Sequence, residues 1–470
     1  MISLFSNYCA NNKRNFFLYL MLFHVVCSLF LYGIAHTVIL NEFHNGNGLW
    51  NATKDSIKYH EEARRSVFYL QEGLWSMWWN LYPGHEHVRI ISGIYWITGY
   101  SEPIAYEVFN SFAWAASVIL IYKTSLLLFT KNNKIALIAI LFFFQPSILI
   151  SSTQMLREPI FLLGFSLLIY CTIALLTKNS NKFKIICTLQ VAIFLLILIR
   201  DYLSGFFIVF LIILSLIAIF QKKLSLLQII LMMSPLLIFE NITFNTYLQE
   251  ASKISLIQQE ILIADYKEKE KEKSGAEELA DKAEIKAGMT KEEAEIVEIA
   301  RQRYEKTLLG SIDKKLSGVS RKISSVRYGF RAVNSGAGSS LDTETLFLSF
   351  GDIFNYIPRA LQISFLSPFP NQWLEERVEV GVLGSILSGI EIFFWYFILL
   401  GCAYLLIKKP LIYIPMTSIF IVSFSVILLI AISIPNLGAI YRMRQPYMLP
   451  FYIYGAYGLN LIFAKLSQQK

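Results

Sequence analysis

The sequence predicts an all-α polytopic membrane protein with about ten transmembrane helices. Three observations carry this. Of 470 residues, 55% are hydrophobic and only 16% are charged, with mean hydropathy +0.50; a soluble chain carries about 25% charge. Apolar runs of about 20 residues recur, each long enough to cross the hydrocarbon. Lysines gather in alternate connections between those runs, as the positive-inside rule requires.

The expected spans are 16–40, 106–129, 135–152, 157–177, 184–200, 203–220, 224–240, 381–407, 411–433 and 446–465. The first run is too long for a signal peptide and has no small-residue cleavage site, so it reads as a span. Lys13 with Arg14, Lys131 with Lys134, and Lys178, Lys182 and Lys184 mark one side. Lys222 and Lys223, Lys408 and Lys409, and Lys465 and Lys470 complete that set. This side is the cytoplasm, and both termini lie there. The formal charge of +8 is therefore a topology signal and not a nucleic-acid footprint. Cys9, Cys27, Cys171, Cys187 and Cys402 lie in or beside apolar runs, without disulfide or metal-ligand spacing. The chain divides into an N-terminal membrane module (1–240), a large outer loop (241–380) and a C-terminal membrane module (381–470).

The first outer loop, 41–105, opens with NATKDSIKYHEEARR. Asp55, Tyr59 and Glu62 fall at i, i+4 and i+7, one face of a helix that Thr53 or Asn51 can cap. A carboxylate fixed at the mouth of a bundle is a candidate general base, and an acidic helix start on a solvated loop is the plain alternative. Phe68, Tyr69, Leu74, Trp75, Trp78 and Trp79 follow, and such aromatic-rich segments lie flat at the headgroup level. Pro83 and Gly84 then make a turn before His85, Glu86 and His87. Three adjacent residues seldom converge on one ion, so loop or substrate contacts are the expectation for His85 and His87.

The second outer loop carries YKEKEKEK and a run rich in Ala, Glu and Lys over 265–310. Dense charge with high helix propensity predicts a solvated helical hairpin, broken at Gly288 and restarted by Thr290 with Glu293. Charged all round, it suits a structural role or a protein partner better than catalysis. Beyond it, Gly336 and Gly338 form a permissive loop that lacks the Gly-x-x-x-x-Gly-Lys of a phosphate-binding loop. The stretch 347–366 is too interrupted to span and suits a surface or re-entrant segment.

The short outer connections use arginine where the inner ones use lysine. Arg157 stands beside Glu158, Arg200 beside Asp201, and Arg442 with Arg444 before the last span. Arginine grips a phosphate bidentately, and local ion pairing is the plainer reading for Arg157 and Arg200. In an extended segment Arg442 and Arg444 project the same way, and neither has an acidic neighbour in its loop.

Together these pieces resemble the GT-C superfamily of membrane glycosyltransferases, on the side of the protein O-mannosyltransferases and aminoarabinose transferases. The resemblance rests on Asp55 and Tyr59 followed by HEEA, on Arg157-Glu158-Pro159 at the start of the fourth span, and on Tyr441 to Pro446 before the last. It covers nearly all the membrane part and none of the charged insert. It implies a polyprenyl-phosphate-linked sugar donor, used on the non-cytoplasmic side of a bacterial inner membrane, with a glycan, lipid or protein as acceptor. Asp55 matches the catalytic acid, and Arg157, Arg442 and Arg444 match basic positions near the donor phosphate. Relatives often have a second acid in the first loop, which here is Glu61 or Glu62. With no Asp-x-Asp, a divalent metal is not assumed. Tyr59, Glu62, His85, His87, Glu158, Arg200 and Tyr441 complete the expected substrate contacts. An envelope polymerase or ligase, which would rest on arginines of the large loop, is the rival reading. A lipid-linked sugar transporter is disfavoured, because mid-membrane ionisable groups are few and no inverted repeat is visible. Glu391 is the exception and reads as a polar bundle contact.

Overall fold

The computed structural model describes residues 13–242 and 319–468, apart from 83, 130–131, 178–180, 201–202, 321, 328, 331–338, 344, 346, 348 and 378–379. For 235–242 only the backbone is described. The charged insert at 265–310, the Gly336–Gly338 loop and Asp201 lie outside these residues. Among the described residues the structure is helical, with isolated β-bridges at His44–Trp50 and Ser340–Asn436 and no strand.

The helices are α1 (Lys13–Ile34), α2 (Lys54–Gln71), α3 (Trp75–Asn80), α4 (His87–Thr98), α5 (Glu107–Leu128), α6 (Asn133–Ile140), α7 (Pro146–Ser152) and α8 (Glu158–Thr177). There follow α9 (Lys182–Ile199), α10 (Ser204–Phe220), α11 (Leu226–Ile242), α12 (Phe350–Leu366), α13 (Gly381–Lys408), α14 (Thr417–Ser433) and α15 (Leu437–Gln468). Each of the ten stretches expected to span is helical. Six described helices are long and apolar enough to cross a membrane: α1, α5 and α8, α9 and α13, and α14 with the short helical turn before it. The others fall short for visible reasons. α6 and α7 are parted at Pro146, where the chain bends by 61°. α10 and α11 are 17 residues each. α15 carries Arg442 and Arg444 in its first turns and two internal prolines, Pro446 and Pro450.

The described chain forms two compact units. The first comprises Met1–Ile238, Leu366–Ile427 and Tyr441–Lys470. In it, α13 and α15 cross with backbones in contact: a Cβ at Gly401, Gly455 or Gly458 would collide with the facing helix's carbonyl groups. Small residues at a crossing let helices approach closely in a membrane, where dispersion contacts hold them together. The first outer loop has its own core. α2 buries Tyr59, Ala63, Val67 and Leu70 on one face, and packs on Val88, Ile91 and Tyr95 of α4. The opposite face, with α3, exposes Phe68, Trp75, Met77 and Trp79, and Arg89 stacks 4.7 Å over Trp79.

The second unit comprises Phe239–Phe365 and Leu428–Ile440. Its described centre is Arg327, buried against Phe347 and Tyr356 and donating to the carbonyls of Ile432 (2.7 Å) and Asp342 (2.6 Å). Asp342 accepts from Arg359 (3.0 Å) and Tyr356 (2.8 Å). Burial raises its pKa, but these two hydrogen bonds prevail and hold it below the ordinary carboxylate range. The stretch 347–366, expected to lie on or re-enter the membrane and not to span it, holds the 17-residue helix α12, which accommodates Pro358.

Candidate functional site

Asp55 stands in the first turn of α2, and the site is built around it in the first unit. The chain reaches α2 through a short helical turn, Asn51–Thr53. Neither expected cap forms: Thr53 Oγ1 donates to the Trp50 carbonyl, and Asn51 donates to the Glu42 carbonyl. The anchor is Gln154 instead. Its Oε1 accepts from the Trp50 amide at 3.1 Å, and its carbonyl accepts from Asn110 at 3.0 Å. Gln154 thereby fixes the start of α2 to the turn that leads into α8. Nothing in the sequence near Gln154 marks that role.

Glu158 opens α8, where a carboxylate faces the positive helix end. Arg200, buried at the end of α9, reaches Glu158 at 3.5 Å. Arg442 reaches both acids: Nη2 lies 2.5 Å from Asp55 Oδ2, and Nε 3.9 Å from Glu158 Oε1. Asp55, Glu158, Arg200 and Arg442 thus form a charge-balanced set of two acids and two bases, drawn from four helices far apart in sequence. Within it the two acids differ. The Asp55 side chain is 47% exposed, and that of Glu158 is 8% exposed.

Arg157 is placed differently. Its Nη2 donates to Tyr59 Oη at 2.8 Å, and its guanidinium lies over the Tyr59 ring. No carboxylate among the described residues lies within ion-pair distance of it, so local pairing with Glu158 does not form. Arg157 is partly exposed. Burial pushes the Tyr59 hydroxyl up to about 12, so it remains a neutral phenol beside that cation.

The one-face expectation for Asp55, Tyr59 and Glu62 agrees with the geometry of α2, and it separates Glu61 from Glu62. Glu61 points to solvent and pairs with Arg65 at 3.8 Å. Glu62 is buried, with Oε2 2.7 Å from His85 Nδ1 and Oε1 3.8 Å from Lys58 Nζ. His85 and His87 do not act as a pair. Their ring centres are 6.3 Å apart, and among the described residues no three side chains of metal-binding type converge. His87 is fully buried, edge-on to Tyr59 at 4.1 Å, with neither ring nitrogen hydrogen-bonded to the protein. Burial drives its pKa well below the ordinary value, with Arg157 and His85 adding to the effect. It is a neutral ring at the base of the site.

The last outer segment requires a correction. Residues 437–446 are helical, not extended, so Arg442 and Arg444 project to different sides. Nor is Arg442 unpaired. Arg444 is fully buried, donates to the Ser367 carbonyl and hydroxyl, and lies 5.1 Å over the Tyr441 ring. Tyr441 also turns inward, donating to Glu391. Glu391 further accepts from the Ser147 amide (2.7 Å) and hydroxyl (2.5 Å), as a polar bundle contact should. Tyr441 and Arg444 therefore belong to an internal network, and Arg442 alone of the three joins the Asp55 cluster. A second internal pairing had no sequence signal: His24 Nδ1 lies 2.9 Å from Glu107, and Nε2 lies 2.8 Å from the Ser152 hydroxyl.

Compared with family models, curated proteins and solved structures, the chain gives no match. The functional reading therefore rests on the residues themselves.

Proposed function

We propose that the chain is a GT-C-type glycosyltransferase that moves a sugar from a polyprenyl-phosphate carrier to an acceptor on the non-cytoplasmic side of a membrane. One observation carries the proposal: an accessible carboxylate, Asp55, stands in one cluster with four-helix ion pairing and with Arg157, a cation that no carboxylate among the described residues neutralises. Transfer from a lipid phosphate needs both parts. The acceptor hydroxyl attacks the anomeric carbon and gives its proton to Asp55. The bond from that carbon to the phosphate oxygen breaks, and its electron pair stays on the phosphate. Arg157 meets the charge that develops there. A single displacement inverts the anomeric centre.

Arg442 holds Asp55 in place, which differs from a direct grip on the donor. Arg444 is a structural residue in this scheme. Topology supports the outer placement, since the arginines of the cluster occupy connections opposite to the lysine-rich ones. The charged insert at 265–310 is assigned to a protein partner or to architecture, with surrounding lipid as the remaining partner.

The test is mass spectrometry of surface glycans and glycolipids from cells lacking the chain, complemented with wild type or with Asp55→Asn. Loss of one sugar from a defined carrier, restored by wild type and not by the variant, is expected. Unchanged glycans in the deletion strain would refute the transferase reading.

A further inference from the structure

The Glu62–His85 pair has no part in the reaction as written, yet it stands on the same face as Tyr59 and Arg157. Glu62 is buried and its Oε2 meets His85 Nδ1 at 2.7 Å. A carboxylate in that position fixes the imidazole with Nδ1–H toward it and leaves Nε2 as the atom that exchanges a proton. His85 itself is 22% exposed, so Nε2 is reachable from outside. Backbone hydrogen bonds hold the residues beside the ring. The His85 amide donates to the Tyr82 carbonyl at 3.0 Å, and the Gly84 amide donates to Glu86 Oε1 at 3.0 Å. Gly84 takes a φ of +84°, which a side chain would strain.

The charged and titratable neighbours of His85 are few. From α2 they are Glu62 and Tyr59, with Lys58 on the far oxygen of Glu62. From its own turn and α4 they are Glu86 and the neutral His87. Arg157 also contacts Tyr59, whose ring is 5.1 Å from that of His85. His85 and Arg157 therefore both border Tyr59, and both also act on His87 beneath it, so the imidazole stands in the neighbourhood of that cation.

We infer that His85, oriented by Glu62, is the proton donor to the departing phosphate, opposite in role to Asp55. This rests on the transferase reading above. As the acceptor oxygen bonds to the anomeric carbon, the bond from carbon to phosphate oxygen breaks. The electron pair stays on that oxygen, which takes the proton from His85 Nε2. Asp55 takes the proton of the acceptor hydroxyl. Before the next turnover Asp55 releases its proton to water and His85 takes one up, so charge and protons balance.

The test uses the full chain in nanodiscs with decaprenyl monophosphate as the probe, its binding measured from pH 5.5 to 8.5. The phosphate's own ionisation is common to all variants, so the readout is the difference between them. Wild type should gain about tenfold in affinity on acidification relative to His85→Asn, about one proton's worth of linkage. Glu62→Gln keeps the imidazole but removes its orienting charge, and should shrink that gain. Arg157→Ala should weaken binding at every pH. If binding depends on Arg157 but its pH profile is the same in wild type, His85→Asn and Glu62→Gln, the proton-donor assignment is overturned and the transferase reading stands. If wild type does not bind the probe, or Arg157→Ala binds as well as wild type, the transferase reading itself fails.

Discussion

Replacing Glu158 and replacing Asp55 should have opposite consequences, although both acids contact Arg442. Glu158 is the buried partner. Its side chain is 8% exposed, that of Arg200 is 4% exposed, and they meet at 3.5 Å. Glu158→Gln keeps the volume and removes a buried charge that meets both Arg200 and Arg442. Breaking a buried pair in this way costs about 3–5 kcal/mol. At roughly 2 °C per kcal/mol for a large domain, the thermal midpoint should fall by about 6–10 °C. Asp55 is about half exposed, and exposed ion pairs contribute about 0–1 kcal/mol. Asp55→Asn should therefore leave the midpoint within about 2 °C, while turnover falls by about 10²–10⁴ through loss of the base. The assay is thermal unfolding of detergent-purified protein followed by tryptophan fluorescence, run beside transfer activity. Equal destabilisation by the two variants would refute the division of labour, as would full turnover in Asp55→Asn.

Four further outcomes follow from the same geometry. Arg157→Lys should weaken binding of a polyprenyl phosphate, because a point charge cannot replace a planar fork; equal affinity by titration would remove Arg157 from the donor site. His87 binds no proton in the fold at a pH where the unfolded chain does, so its burial lowers stability as pH falls below about 6.5. His87→Leu should flatten that acid-side loss in thermal melts between pH 7.5 and 5, and an unchanged slope would show that the ring is not the cause. Replacement of Lys267–Arg303 by a short Gly-Ser linker should preserve transfer, and loss of turnover in a folded variant would assign the insert to the site. Cysteines at 182 and 282 should label from opposite sides of the membrane, and same-side labelling would overturn the topology.

The fold was legible where its signal is local. A run of apolar residues becomes a helix in a membrane because every backbone amide must find a partner within its own segment. All ten expected stretches are accordingly helical. Where the expectation was too simple, a local feature with more than one outcome was responsible. Pro146 was compatible with a straight span after a first-turn proline, and the chain instead breaks there by 61°. The stretch from Leu437 contains two prolines and two arginines, which reads as a loop. It is helical because Asn436 Oδ1 caps it, accepting from the Ala439 amide at 2.9 Å, and because both arginines find partners, Arg442 in Asp55 and Glu158 and Arg444 in the Ser367 carbonyl.

The site was legible in its membership far more than in its pairing. Helical spacing suffices to put Asp55, Tyr59 and Glu62 on one face, because it depends only on neighbours along one helix. Ion pairing depends on which helix ends meet. Arg442 and Asp55 are separated by 387 positions, and no local pattern joins them. Inference from neighbouring residues ran the wrong way at Arg157 and at Arg442. For Arg157 pairing with the adjacent Glu158 was the plain alternative, and among the described residues no carboxylate pairs with it. Arg442, with no acid nearby in sequence, seemed free and is held by two. The reversal has a physical basis. Adjacent side chains at a helix start diverge by about 100°, so Arg157 and Glu158 are directed to different neighbours: the first to Tyr59, the second to Arg200 and Arg442. An acid next to an arginine in sequence is therefore weak evidence that the arginine is satisfied.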